Sequence, residues 1–134
     1  MNKFWKLLLT FGPWIAWMSI TYYLSDLPAE KVLISHTDWV EQNLKNCLHF
    51  IQYFGLAILS LRVMWKMKIH KPYAMAFVWC ALFAASDEIH QLSTPGRQSS
   101  WSDWVIDLSG AMAALIVINY LRRIPLLRKI LFLE

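Results

Sequence analysis

Three stripes of polar residues and one arginine carry the side-chain types in this chain that could do chemistry. Lys45, His49 and Gln52 are four and three residues apart, with Tyr53 close by, so a helix would set them on one stripe continued by Leu56. Asp87, His90 and Gln91 cluster in the same way, flanked by Glu88. Asp103, Asp107, Gly110 and Ala114 follow at spacings of four, three and four. Arg97 comes after the turn-forming pair Pro95-Gly96 and before the last stripe. A histidine among carboxylates is the equipment of general acid–base catalysis, and an arginine held over acids can clamp a phosphate or carboxylate. Plainer uses stand beside these. His49 could be satisfied by a neighbouring carboxylate, and Arg97 could be the counter-ion of Asp87, Glu88 or Asp103. Ser100 and Asp103 read equally well as an S-x-x-D capping box opening a helix. His49, His90 and the acids lack a known ligand spacing, so neither a metal nor a cofactor is expected.

The elements that position these stripes are apolar. Of the 134 residues, 57% are apolar and 16% charged, against about a half and a quarter in soluble domains, which argues against a water-soluble enzyme. Nineteen uncharged residues separate Lys6 from Asp26, enough helix to cross a hydrocarbon core of about 30 Å. Shorter uncharged windows run over 46–61, 72–86 and 108–121. They reach across a bilayer only if polar residues extend each helix at one end and face protein rather than lipid. The expectation is an all-α, four-helix transmembrane bundle in one domain, 1–134, with spans at about 6–25, 46–65, 72–91 and 103–122. A short interfacial helix is expected between the first two spans. Cys47 and Cys80 sit in apolar runs without metal spacing, and neither a disulfide nor zinc is expected.

Charge sorts with these spans. Lys3, Lys6, Arg62, Lys66, Lys68, Lys71, Arg122, Arg123, Arg128 and Lys129, ten of the thirteen basic residues, fall on one side, which the positive-inside rule assigns to the cytoplasm together with both termini. Eight of the nine acids fall at the other side. The net charge of +4 is therefore a membrane signature and no sign of a nucleic-acid partner. Burying ionisable groups against lipid costs several kcal/mol each, so the three stripes are expected to face one another around a shared, outward-facing polar pocket.

In order and spacing, these residues resemble the VanZ-like family of bacterial membrane proteins. The likeness rests on LSDLP at 24–28, on Lys45, His49 and Tyr53, on D-E-x-x-Q at Asp87, Glu88 and Gln91, on P-G-R at 95–97, and on Asp103, Asp107 and Gly110. Members often carry a second basic residue where this chain has Asn46, a glutamate where it has Gln52, and an asparagine at the position of Asp107. The resemblance implies a multi-pass protein of the bacterial cytoplasmic membrane, whose namesake confers low-level resistance to the lipoglycopeptide teicoplanin.

Two functions follow as expectations. In one, the protein binds an anionic or lipid-linked ligand, such as a cell-wall precursor, with Arg97 as anchor and Lys45, Tyr53, Asp87, Gln91, Asp103 and Asp107 lining the site. In the other it is a membrane-embedded hydrolase or transferase acting on a phosphate or acyl headgroup, with His49 as acid, base or nucleophile and Glu88 or Asp87 orienting the imidazole. A third reading is a structural membrane partner whose polar groups merely satisfy one another. Membrane lipids are the expected partners in all three.

Overall fold

The structure is a computed structural model that describes residues 2–26, 38–93 and 100–123. Among these it is all helix, with α1 (Lys3–Asp26), α2 (Asp38–Lys66), α3 (Pro72–Gln91) and α4 (Trp101–Leu121). Four helices are present, as expected, and α1, α2 and α4 are long and apolar enough to cross a membrane. α3 falls short of that standard because its last turn carries Asp87, Glu88, His90 and Gln91, yet Asp87, Glu88 and Gln91 are buried against protein. The connection at 27–37, where an interfacial helix was expected, lies outside the described residues. Residues 38–45 belong instead to α2, whose 29 residues run about 43 Å, longer than a hydrocarbon core.

α2 is the centre of the bundle and makes its most extensive contact with α4. The two run parallel, since α3 carries the chain back between them. Their buried faces change character along their length in the same way. α2 passes from Lys45 and His49 to Tyr53, Leu56, Ser60 and Met64, and α4 from Asp103 and Asp107 to Gly110, Ala111, Ala114 and Ile118. α3 repeats the theme in reverse, with Ala76, Cys80 and Ala84 giving way to Asp87, Glu88 and Gln91. The core is thus apolar at the end that carries the basic residues and polar at the other. Alanine and glycine dominate the facing stripes of α3 and α4, which allows the close backbone approach that association in lipid requires.

α1 docks antiparallel on α2 through indole donors. Trp14 Nε1 donates to Ser60 Oγ and Trp17 Nε1 to the Gln52 carbonyl, both at 2.9 Å, and Trp14 packs on Trp79 of α3. Gly55 leaves the space that the Trp17 ring fills. Pro13 lies inside α1 and has no amide to offer the Leu9 carbonyl four residues back. Arg62 Nη2 of α2 donates to that carbonyl at 3.1 Å, so a neighbouring helix satisfies the group that the proline leaves open. Arg62→Ala is therefore expected to lower stability by about 1–3 kcal/mol in detergent melts. In a Pro13→Ala background, where residue 13 regains its amide, the same substitution should cost clearly less. Equal losses in both backgrounds would show that Arg62 does not serve this carbonyl.

The α2–α3 connection closes with Lys68 at φ 56°, a left-handed position where glycine is usual. Ile69 N bonds to Met64 O and Lys68 N to Trp65 O, the paired bonds of a Schellman end. Lysine there costs about 1–2 kcal/mol in backbone strain. It adds a charge to an end of the bundle that also carries Arg62 and Lys66 of α2 and Lys71.

Candidate functional site

Two rungs join α2 to α4 at the polar end. Lys45 Nζ meets Asp103 Oδ2 at 2.5 Å, and one turn deeper His49 Nδ1 meets Asp107 Oδ1 at 2.9 Å. Both pairs are separated by 58 residues in sequence. The shared offset sets α2 and α4 parallel and in register over this stretch. A rung needs helix backbones close together, and Gly110 provides for that. A β-carbon at this position would strike the Phe50 carbonyl oxygen.

The two rungs differ in their surroundings. Lys45 keeps 24% of its side chain exposed and forms the rim, while Asp103 is buried. His49 and Asp107 are buried, and with Nδ1 engaged the ring's remaining functional nitrogen is Nε2. Such a pair fixes the tautomer and orientation of the imidazole and stabilises it when it takes a proton. The acid that orients His49 is Asp107, in place of the Glu88 or Asp87 expected from sequence.

α3 brings the third set of groups. Gln91 Nε2 donates to Ser25 Oγ of α1 at 2.6 Å and lies 3.4 Å from Asp87 Oδ2. Glu88 Oε2 accepts from the backbone amide of Ser100 at 2.9 Å. This resolves the two readings of Asp103. Ser100 is the N-cap of α4 and its Oγ accepts from Ser102 N, but the acid that returns to the Ser100 amide is Glu88 from another helix, which frees Asp103 for Lys45. Asp87 and Glu88, adjacent on α3, are both buried because they turn to different neighbours. Tyr53 is fully buried against Phe83 and adds a phenol to this end of the core. Ser25, which was not among the expected site residues, ties α1 to the site.

The expected site residues Lys45, His49, Tyr53, Asp87, Glu88, Gln91, Asp103 and Asp107 therefore gather at one end of the bundle. Arg97 lies outside the described residues. His90 turns away, stacking on Tyr22 with ring centres 4.3 Å apart. It closes one end of an open apolar groove of about 560 Å³ between α1 and α3, which Trp79 and Phe83 also line. Among the described residues no three His, Cys, Asp or Glu side chains are grouped to hold a metal ion, and Cys47 and Cys80 are free thiols.

Among the described residues the polar end holds four carboxylates, Asp87, Glu88, Asp103 and Asp107, against Lys45 and His49. Its chemistry is that of proton transfer and of hydrogen-bond acceptors.

A family model described as VanZ/LLP1 matches residues 11–123. No curated protein and no solved structure matches the chain.

Proposed function

The chain belongs to the VanZ/LLP1 family, and from that premise we propose that it is a bacterial cell-envelope protein of the cytoplasmic membrane, with both termini inside, that performs acid–base chemistry on a lipid-linked headgroup at the outer leaflet. The observation that carries this reading is the buried His49–Asp107 hydrogen bond at 2.9 Å. In it His49 Nε2 takes the proton of an attacking hydroxyl, from water in a hydrolase or from an acceptor alcohol in a transferase, and returns it to the leaving oxygen. Asp107 holds the ring and stabilises the imidazolium. The sorting of basic residues supports the orientation. Reduced susceptibility to teicoplanin is the cellular phenotype through which such an activity would be read.

The test is turnover. Purified protein incubated with polyprenyl phosphates and phospholipids should release product, and His49→Gln should lower the rate at least about a hundredfold, the usual contribution of a positioned general base. Absence of any His49-dependent product would end the catalytic reading. A second reading, a non-catalytic receptor for an anionic headgroup, is favoured by one observation, the part-exposed Lys45 ammonium at the rim. It expects a lipid phosphate bound without turnover and weakened by Lys45→Met or Arg97→Ala.

A further inference from the structure

The buried polar end holds more acceptors than the described residues satisfy. Tyr53 Oη, Asp87 Oδ1, Glu88 Oε1, Gln91 Oε1 and Asp107 Oδ2 are each buried without a hydrogen-bond partner among the described residues. Tyr53, Gln91 and Asp107 have no exposed surface, and Asp87 has 1%. These groups form one set. The Tyr53 phenol lies within electrostatic reach of Asp107, Asp87 and Glu88, and Asp107 within reach of Asp87 and Glu88. Four of the five atoms are acceptor oxygens of carboxyl or amide groups, and the fifth is a single hydroxyl that can donate once.

Acid clustering alone would say little, because carboxylic acids can share protons. Gln91 and Tyr53 add independent information. Gln91 spends its amide nitrogen on Ser25 and Asp87, which directs its oxygen elsewhere, and that oxygen is buried and unpaired among the described residues. An amide oxygen cannot relieve itself by protonation. A buried acceptor left open costs about 1–3 kcal/mol, so a site that keeps several is matched to a ligand rich in donors. The described residues contain no trio of metal-type ligands, which disfavours a compact metal cation. A primary ammonium group presents three diverging N–H donors and one positive charge, complementary to several acceptor oxygens and excess negative charge.

We propose that the buried polar end beside His49 and Asp107 binds the primary ammonium group of its ligand, accepted by oxygens of Asp87, Glu88, Gln91 and Asp107 with the Tyr53 phenol alongside. This deepens the functional reading above by naming an amine-bearing headgroup as the substrate class, and it rests on that reading only for the ammonium being part of a substrate. The amine has two sources of the same chemistry, an aminated lipid headgroup and a free aliphatic amine.

The full chain in detergent is titrated with ethanolamine and, at equal ionic strength, with choline, whose quaternary nitrogen carries charge but no N–H. Ethanolamine should raise the melting temperature and choline should not. Asp87→Asn should weaken ethanolamine binding about tenfold, the scale of one charge-assisted hydrogen bond. If that variant does not fold, Tyr53→Phe, which removes one oxygen and keeps the ring, should weaken it several-fold. In nanodiscs of phosphatidylcholine, adding phosphatidylethanolamine should compete with ethanolamine if the lipid headgroup is the source. Ethanolamine binding without such competition assigns the site to a free amine. An equal response to ethanolamine and choline, no response to either, or unaltered binding in whichever of the two variants fold would overturn the proposal. The His49→Gln protein separates it from the catalytic reading. Ethanolamine binding without turnover in the wild type leaves the ammonium site standing alone, whereas His49-dependent turnover with no preference for amines removes only the ammonium site.

Discussion

Gly110→Ala is expected to destabilise the bundle by at least about 2–3 kcal/mol and to abolish whatever function the polar end supports, although it adds a single methyl group. The methyl would have to occupy the position of the Phe50 carbonyl oxygen, and that oxygen belongs to the backbone of α2. A helical carbonyl cannot swing aside as a side chain can, so α4 must move as a body. Overpacking of this kind costs about 1–3 kcal/mol by itself. The displacement is transmitted along α4 to Asp107 and Asp103, one and two turns away, and stretches both hydrogen bonds to α2. Breaking them leaves buried charges unpaired and adds to the loss. Gly12→Ala is the natural control. A β-carbon there meets only Leu8 Cδ1 at 3.8 Å, an ordinary contact, and the substitution should be neutral or stabilise by up to about 1 kcal/mol through helix propensity. Melting curves of the two variants in the same detergent decide the matter. Similar melting temperatures would mean that α2 and α4 are not held as closely as Gly110 implies.

The same glycine shows what could be read from sequence. The spacing of Asp103, Asp107, Gly110 and Ala114, and of Lys45, His49, Gln52 and Leu56, identifies one face on each of two helices and one depth in the membrane, because the helical period fixes both. It does not identify which face meets which. Three stripes at one depth can be paired in several ways, and charge complementarity alone allowed Glu88 or Asp87 to orient His49 as readily as Asp107. The constant offset of 58 was present in the numbering, but it acquires meaning only once α2 and α4 are known to be adjacent and parallel. Capping was legible only in part for a related reason. Ser100 and Asp103 have the local spacing of a capping box, whereas Glu88, twelve residues away and on another helix, is brought to the Ser100 amide by tertiary packing. The four helices were visible in composition because uncharged stretches must be long in a bilayer. The start of α2 at Asp38 was not, since polar residues beyond the hydrocarbon core can continue a helix or leave it without changing hydropathy.

Replacing His49 and Asp107 together, by leucine at both positions, should give a protein that folds nearly as well as the wild type and does nothing. Each single replacement is expected to behave differently. His49→Leu strands the Asp107 carboxyl in a buried site, with a loss of about 3–5 kcal/mol. Asp107→Leu strands a histidine that can remain neutral, with a smaller loss near the 1–3 kcal/mol of an unsatisfied polar group. In the double variant no stranded group remains, and apolar replacement of a buried pair is often close to neutral. Stability and function should therefore part company. The double variant recovers the melting temperature that His49→Leu loses, while headgroup turnover and any drug-susceptibility phenotype stay at the level of a deletion. A pair that served only as a strut between α2 and α4 would give the opposite result, with function returning as stability returns. The buried pair thus discriminates between chemistry and scaffolding more sharply than Lys45 and Asp103, whose part-exposed lysine can find water when its partner is removed.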